Sequence, residues 1–382
     1  MKKNVLSQSN DKYLLAVLKY LSLGLLIIGL VGCQQESQQH NSSASYDSQV
    51  IKPIEVKVVV VTMFEFGEDS GDDAGEFQHW KERQALTTRF PFPQSHHDIF
   101  MNEETGVLGI VTGMGTSRSA SAIMALGLDP RFDFTHAYWL VAGISGGDPE
   151  DTTLGSAVWA EFLVDGDFAH EIDSREIPAD WATGYFPLFS KGPYDPNSEG
   201  TGSEVFQLNP LLTNWAFDLT KDVELTEPEE MKSSRAHYAD FPEALKSPSV
   251  MKGEQLAGMT FWHGKLMNDW ANQWVNYWTK GKGNFVTSAM EDTGSYQSLK
   301  YLTAAGKADV NRFMVLRTVS NFTMPPTGVS AAESLIKDGE DYSGMGGALE
   351  SAYRVGSKVV DTIVNEWSTY RGQLPYEVSK SK

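Results

Sequence analysis

The segment Val56–Met63 reads VKVVVVTM, and so short a run of β-branched residues is typical of a strand buried on both faces. Similar apolar runs recur, and the clearest are Val107–Thr112, Ala137–Ala142, Ser156–Val164 and Phe313–Val319. Helical stretches lie between or after them, notably Ser117–Leu126 and the amphipathic Ala348–Tyr370. Strands that alternate with helices predict an α/β fold with a mostly parallel sheet.

Small residues follow three of these predicted strands, namely Gly113–Gly115, Gly143–Gly147 and Ser320-Asn321. Ligands of parallel sheets bind at the carboxyl ends of the strands, so a binding site is expected there. Glycines at such positions are also compatible with tight turns alone. The sequence has no G-x-x-x-x-G-K-[ST] loop for a nucleoside triphosphate.

Composition narrows the functional classes. Fifty acidic residues against 31 basic ones give a formal charge of −19, which argues against general nucleic-acid binding. The single cysteine excludes a disulfide within the chain. His96-His97 lacks further ligands at metal spacing, so no metal site is predicted.

The N-terminal region has the pattern of an envelope-targeting leader. The apolar run Leu21–Val31 is shorter than the roughly 20 residues of a membrane-spanning helix, and it ends at Gly32-Cys33 in a lipobox-like sequence. We expect a signal peptide at 1–32, lipidation of Cys33, a polar tether at 33–53 and one folded domain at 54–376. Gln34 favours the periplasmic side of the outer membrane of a bacterium. The alternative is a signal anchor with a chance cysteine.

Eight segments together resemble the purine nucleoside permease family. They are TMFEFGED (Thr62–Asp69), VTGMGTSRSASAIMALG (Val111–Gly127), LVAGISGGDP (Leu140–Pro149), EIDSREIPADWATGY (Glu171–Tyr185), EVFQLN (Glu204–Asn209), FWHG (Phe261–Gly264), TSAMEDTG (Thr287–Gly294) and LRTVSNFTMPP (Leu316–Pro326). The resemblance implies a nucleoside phosphorylase-like fold, in which one domain has a twisted, partly closed sheet flanked by helices. It also implies purine nucleoside binding and uptake.

The resemblance assigns roles to two polar positions. Met290 and Glu291 would hold the ribose, because a carboxylate accepts two hydroxyl donors at once. Asn321, after Ser320, would face the purine N7 and act catalytically if the bond to the base is cleaved. An amide donor suits a 6-oxopurine better than adenine. A surface acid and a turn asparagine are the alternatives, and Arg317 is expected to be structural.

The remaining candidates line the other strand ends. Glu68, with Glu65 as its rival, would orient an attacking water. Gly113, Gly143 and Ser145 would contact the substrate in a region that holds phosphate in phosphorylases. The stretch VAGIS has no cation, and only the nearby Arg118 could replace one, which argues against phosphorolysis.

Aromatic residues form two groups. Phe261 and Trp262 are candidates to stack on a purine, with Phe206 as a rival, and His263 is a candidate donor to the ribose. Trp270, Trp274 and Trp278 recur at four-residue spacing, which predicts a buried helix face.

Three functional hypotheses follow. The first is capture and uptake of purine nucleosides at the envelope, with an inner- or outer-membrane transporter as partner and with oligomers allowed. The second is a nucleosidase or a phosphorylase, with phosphate as co-substrate of the latter and no other cofactor. The third is a structural lipoprotein whose site is inactive.

Overall fold

A computed structural model describes residues 52–338 and 343–379, so the predicted leader, Cys33 and most of the tether lie outside the described residues. The strands are β1 Ile54–Glu55, β2 Val58–Thr62, β3 Thr88–Phe90, β4 Ile99–Asn102, β5 Val107–Val111, β6 Phe132–Asp133, β7 Tyr138–Gly147, β8 Ala157–Trp159, β9 Phe162–Asp165, β10 His170–Glu171, β11 Tyr185–Phe186, β12 Val205–Gln207, β13 Val250–Lys252, β14 Glu254–Ala257, β15 Phe285–Ala289 and β16 Phe313–Phe322. The helices are α1 Gln78–Arg83, α2 Thr116–Gly127, α3 Pro210–Thr220, α4 Glu229–Arg235, α5 Lys265–Trp278, α6 Asp292–Ala304, α7 Ala331–Asp338, α8 Met345–Asn365, α9 Trp367–Tyr370 and α10 Pro375–Ser379.

The valine run forms the centre of the sheet. Strand β2 is fully buried and pairs in parallel with β5 on one side and with β7 on the other. Strand β7 in turn runs parallel to β16, from the pair Trp139 and Phe313 to the pair Gly147 and Phe322. The carboxyl ends of β2, β7 and β16 therefore lie at one edge of the sheet, as the sequence predicts.

Pairing becomes antiparallel away from this centre. Strand β15 runs antiparallel to the end of β7, where Ser288 pairs with Gly146, and β3, β4 and β5 form an antiparallel meander. The sheet is therefore mixed, with parallel pairing around β2, between β7 and β16, between β8 and β13, and around β14. The predicted α/β class is confirmed, and the described residues belong to one compact unit.

Both faces of the sheet are covered. Successive strand residues point to opposite sides, and each set is buried in its own core. Val59 and Val61 face a core that includes Ile123 of α2 and Leu299 of α6. Val58 and Val60 face a second core, built with Val355, Val359 and Ile363 of α8. This two-sided burial explains why the strand sequence shows no polar alternation.

The structure corrects four predicted boundaries. Strand β7 continues through Gly143–Gly147, and β16 continues through Ser320-Asn321 with a register shift after Val319. Within β7 the glycines serve packing, since a Cβ on Gly147 would lie 2.6 Å from Cγ1 of Val319. The segment Ser156–Val164 forms two strands, β8 and β9, and the C-terminal helix Ala348–Tyr370 is broken at Glu366 between α8 and α9.

Helix α5 confirms the predicted tryptophan face. Trp270, Trp274 and Trp278 are buried against β14 and β15, in a cluster that includes Leu256 and Phe285. The indole Nε1 of Trp274 also donates to the backbone oxygen of Asp165 at 2.8 Å. Within residues 52–338 and 343–379, no helix is both long and apolar enough to cross a membrane.

Replacing Trp274 with Ala should lower the free energy of unfolding by about 3–5 kcal/mol, because it leaves a cavity beneath α5 and removes a hydrogen bond. Urea unfolding followed by circular dichroism measures this loss. The control is Leu266→Ala on the same helix, whose side chain is 83% exposed, and it should change the unfolding free energy by about 0.5 kcal/mol or less. Equal effects of the two substitutions would contradict the buried role of the tryptophan face.

Candidate functional site

A cavity of about 140 Å³ opens at the carboxyl ends of β2, β7, β15 and β16. Six of the predicted site residues line it: Ser145, Phe261, Met290, Glu291, Ser320 and Asn321. The sheet brings them together from four separate parts of the sequence. The roles expected for these six residues in ligand binding or catalysis remain predictions.

The parallel register of β7 and β16 sets the polar end of the cavity. Ser145 pairs with Val319, and the register shift then places Asn321 opposite Gly146. The Ser320 hydroxyl lies 3.2 Å from the backbone oxygen of Ser145 and 3.0 Å from Oδ1 of Asn321. Among the residues that the structure describes, the amide Nδ2 of Asn321 has one long hydrogen bond of 3.4 Å, to the backbone oxygen of Phe322.

Arg317 forms the buried base of the site. Its Nε and Nη2 donate to Asp292, Nη2 also donates to Oε2 of Glu291 at 2.8 Å, and Nη1 donates to the backbone oxygen of Ile144 at 3.1 Å. The guanidinium is 1% exposed. Burial lowers the pKa of Arg317, but the nearby carboxylates outweigh this effect and raise it overall. The side chain therefore stays charged, and four of its five N–H groups donate to protein acceptors.

Glu291 is held from two sides. Its Oε1 accepts the backbone N–H of Gly115 at 2.9 Å, and its Oε2 accepts from Arg317. Burial raises the pKa of the Glu291 carboxyl, while Arg317 lowers it. The carboxylate thus joins the loop before α2 to the middle of β16 and lines the cavity.

Glu76 is a site residue that the sequence analysis did not select. Its two carboxylate oxygens accept the backbone N–H groups of Met63 and Ile144, each at 2.7 Å, and the side chain lines the cavity. Burial raises the pKa of Glu76 to about 8, although the charge of Arg317 lowers it. Its proton therefore titrates close to neutral pH.

Gly143 lies beneath the cavity rather than on its wall. A Cβ at this position would lie 2.2 Å from Cε of Met63, 2.5 Å from Oε1 of Glu76 and 2.8 Å from Nη1 of Arg317. The absence of a side chain is therefore what lets the acid and the guanidinium approach β7. This is a packing role, in contrast to the substrate contact expected from the sequence.

The open side of the cavity is apolar. Met63, Phe64 and Ile144 line its wall, and Met114 and Phe261 stand at its rim with 54% and 57% exposure. Phe261 is therefore free to present its ring to a ligand. Phe206, its rival in the sequence analysis, is buried in a core with Tyr296.

Other predicted residues lie outside the cavity. Trp262 packs edge-on against Trp270, and His263 Nε2 lies 3.0 Å from the Ser334 hydroxyl. Gly113 has a φ of 85°, and a Cβ there would lie 2.9 Å from Cδ of Arg118, so it forms a turn.

The two loop acids proposed for the attacking water are also elsewhere. Glu68 lines a separate cavity with Lys81 and His97. Glu65 accepts backbone N–H groups of Phe66, Gly75, Phe77 and Gln78 and so closes its own loop.

The cavity contains one cation. Among its lining residues only Arg317 is positively charged, and four of its five N–H groups already donate to protein acceptors. Arg118 lies in a separate groove and donates to the backbone oxygen of Met114 at 2.9 Å. In the described part of the chain, no group of three His, Cys, Asp or Glu side chains could hold a metal ion.

Replacing Glu76 with Gln should change how stability depends on pH. The folded carboxyl keeps its proton up to about pH 8, whereas the unfolded one loses it near its ordinary value of 4.5, so unfolding releases a proton between these values. Stability of the unmodified protein should therefore fall relative to Glu76→Gln as pH rises, by roughly 1.4 kcal/mol per unit between about pH 5 and pH 8.

Urea unfolding at a series of pH values measures this difference. Glu68→Gln, in the exposed part of the same loop, controls for the pH dependence of the rest of the protein. If the free energies of unfolding of the unmodified protein and of Glu76→Gln change in parallel with pH, Glu76 does not retain its proton in the folded protein.

Two known proteins that are similar to this chain are named as purine nucleoside permeases. A purine nucleoside permease of Candida albicans is 29% identical over 339 residues, which are 87% of this chain and 80% of that protein. A protein of Schizosaccharomyces pombe named as a probable purine nucleoside permease is 28% identical over 331 residues, 84% of this chain and 91% of its own.

Among solved structures, a 5′-methylthioadenosine/S-adenosylhomocysteine nucleosidase of Neisseria meningitidis is 15% identical, with a TM-score of 0.44, and covers 80% of this chain and 99% of its own. The sequence model of the family described as purine nucleoside permease (NUP) matches residues 55–375. The chain therefore belongs to the purine nucleoside permease family.

Proposed function

We propose that this protein binds purine nucleosides in the cavity at the ends of β7 and β16 and delivers them for uptake. The observation that carries the proposal is the meeting of Glu291, Asn321 and Phe261 around one cavity. A carboxylate, an amide and an exposed ring match the ribose hydroxyls, the polar edge and the flat face of a purine nucleoside. The names of the related permeases support the same ligand class.

Asn321 would give the proposed site a preference among purine bases. Because the Ser320 hydroxyl lies beside Oδ1 of Asn321, the amide is oriented with Nδ2 available as a donor. N7 and O6 of a 6-oxopurine are both acceptors, whereas the 6-amino group of adenine is a donor. Inosine and guanosine should therefore bind better than adenosine.

Glu291 retains room for a sugar. Each carboxylate oxygen can accept two hydrogen bonds, and Oε1 accepts only the Gly115 amide in the described part of the chain. A ribose hydroxyl can donate to the remaining position. At about 140 Å³ the cavity is smaller than the roughly 300 Å³ typical of ligand sites, so binding requires the exposed rim side chains Met114 and Phe261 to move.

The electrostatics favour an uncharged ligand. Arg317 is neutralised by Asp292 and Glu291, and Glu76 adds a further titratable acid. A phosphate group would meet carboxylates and a guanidinium whose charge is already paired with two of them. Nucleotides and phosphorolysis are therefore disfavoured.

Hydrolysis of the bond between ribose and base is the second candidate, and Glu76 is the observation that favours it. Near its pKa of about 8 part of Glu76 is ionised, and this form can take a proton from a water molecule in the cavity. The water oxygen would bond to C1′ of the ribose as the bond from C1′ to the base breaks. Asn321 would then stabilise the departing base by donating to it.

Attachment to the bacterial envelope through Cys33 remains part of the proposal. The tether at 33–53 would hold the folded domain near the membrane, and a separate transporter would move the captured nucleoside across it. Mass spectrometry of the purified protein for a lipid on Cys33 tests this attachment.

Isothermal titration calorimetry of the full chain in detergent tests nucleoside binding. Asn321→Ala should weaken inosine binding roughly tenfold, since one hydrogen bond contributes about 1 kcal/mol or slightly more. Asn321→Asp keeps the shape of the side chain but replaces the amide donor with a carboxylate oxygen. It should bind inosine no better than Asn321→Ala does. Asn365→Ala changes an exposed amide on α8 and is the matched control. Absence of inosine and guanosine binding would contradict the proposal.

Chromatography of the same mixtures, with and without phosphate, separates capture from hydrolysis. Capture predicts intact nucleoside in all samples. Hydrolysis predicts that free base is released without phosphate, and that Glu76→Gln releases none. Release of free base only in the presence of phosphate would contradict the electrostatic argument, and with it both capture and hydrolysis.

A further inference from the structure

A second concave surface lies on the outer side of α5, away from the nucleoside cavity. It is a groove of about 510 Å³ that shares no lining residue with that cavity. Its side chains are four carboxamides and two phenols: Asn272, Gln273, Asn276, Asn284, Tyr194 and Tyr277. None of its lining residues carries a formal charge.

Two acids beneath the groove fix the direction of two of the amides. Nδ2 of Asn272 donates to the fully buried Asp148 at 2.6 Å, and Nδ2 of Asn284 donates to Asp151 at 3.0 Å. An ionised carboxylate only accepts hydrogen bonds, so both amino groups must turn toward the acids. The amide oxygens are then left as acceptors, and in the described residues no donor reaches either of them.

The other two amides have no internal partner. Gln273 and Asn276 are exposed, and their side chains make no hydrogen bond within the described part of the chain. Asn276 lies four residues after Asn272 and three after Gln273, so on the helix surface it neighbours both. The groove thus offers two oriented acceptors beside two amides that can both donate and accept.

Tyrosine rings close one end of the groove. Tyr194 and Tyr277 pack edge-to-face with centroids 5.9 Å apart, and the Tyr277 hydroxyl donates to the backbone oxygen of Asp195 at 2.7 Å. Tyr194 has a φ of 54°, an unusual value for a residue with a side chain, so the loop is held in a specific conformation. The rings are therefore fixed walls with an apolar face.

We propose that this groove is a saccharide-binding site. Sugars combine hydroxyl groups, which donate to amide oxygens and accept from amide N–H groups, with C–H faces that pack on aromatic rings. The lack of charge disfavours phosphate, carboxylate and ammonium ligands. The proposal goes beyond nucleoside binding and does not depend on it.

Calorimetry of the full chain with ribose, maltose and N,N′-diacetylchitobiose tests the proposal. At least one of these sugars should bind with a Kd on the order of 1 mM. The double variant Gln273→Ala/Asn276→Ala should weaken that binding at least tenfold, and Asn276→Asp, which adds a charge, should also weaken it. Asn365→Ala on α8 is the control and should bind as the unmodified protein does. Circular dichroism confirms folding of each variant.

Competition with inosine separates this groove from the nucleoside cavity. Sugar binding should persist in saturating inosine, because the two surfaces share no lining residue. Displacement by inosine would place the sugar in the nucleoside cavity and overturn the proposal. So would the absence of binding by all three sugars, or equal binding by the double variant. Failure of nucleoside binding alone would leave the sugar result unaffected.

Discussion

The architecture of the cavity at the ends of β7 and β16 depends on one buried cation. Arg317 contacts the adjacent residues Glu291 and Asp292 directly and lies close to Glu76, so one positive charge faces three acids from two parts of the chain. Burying charge is costly unless every group is paired and hydrogen-bonded, and the Gly115, Met63 and Ile144 backbones supply the remaining contacts. The cluster therefore fixes the loops after β2, β5 and β15 relative to β16.

This arrangement restricts the ligand as well as the fold. The cation is used inside the protein, so the cavity presents carboxylates, an amide and apolar side chains but no free positive charge. Gly143 is part of the same restriction, since any side chain there would separate Glu76 from Arg317. These conditions support the proposed uncharged nucleoside over a nucleotide, and the proposed hydrolysis would use both Glu76 and Asn321.

The predictable parts of the structure are those that a local pattern determines. The apolar run of β2 and the tryptophan spacing of α5 follow from burial, and parallel pairing brings Ser145 and Asn321 to one edge. Glu76 was not predictable, because its loop carries several acids and only the backbone conformation decides which one turns inward. Glu65 satisfies four N–H groups of that loop, which leaves Glu76 to reach β7.

Helix α5 connects the two concave surfaces through the ends of β7 and β16. Asn268 donates to Asp148 at 3.0 Å and accepts from the Thr323 hydroxyl at 2.6 Å, while Asn272 reaches the same carboxylate from the groove side. Asp148 follows Gly147, the last residue of β7, and Thr323 follows the last residue of β16. The position of α5 is thus set by the two strands that carry Ser145 and Asn321. Because these buried polar bonds are costly to leave unmade, both surfaces depend on the same strand geometry.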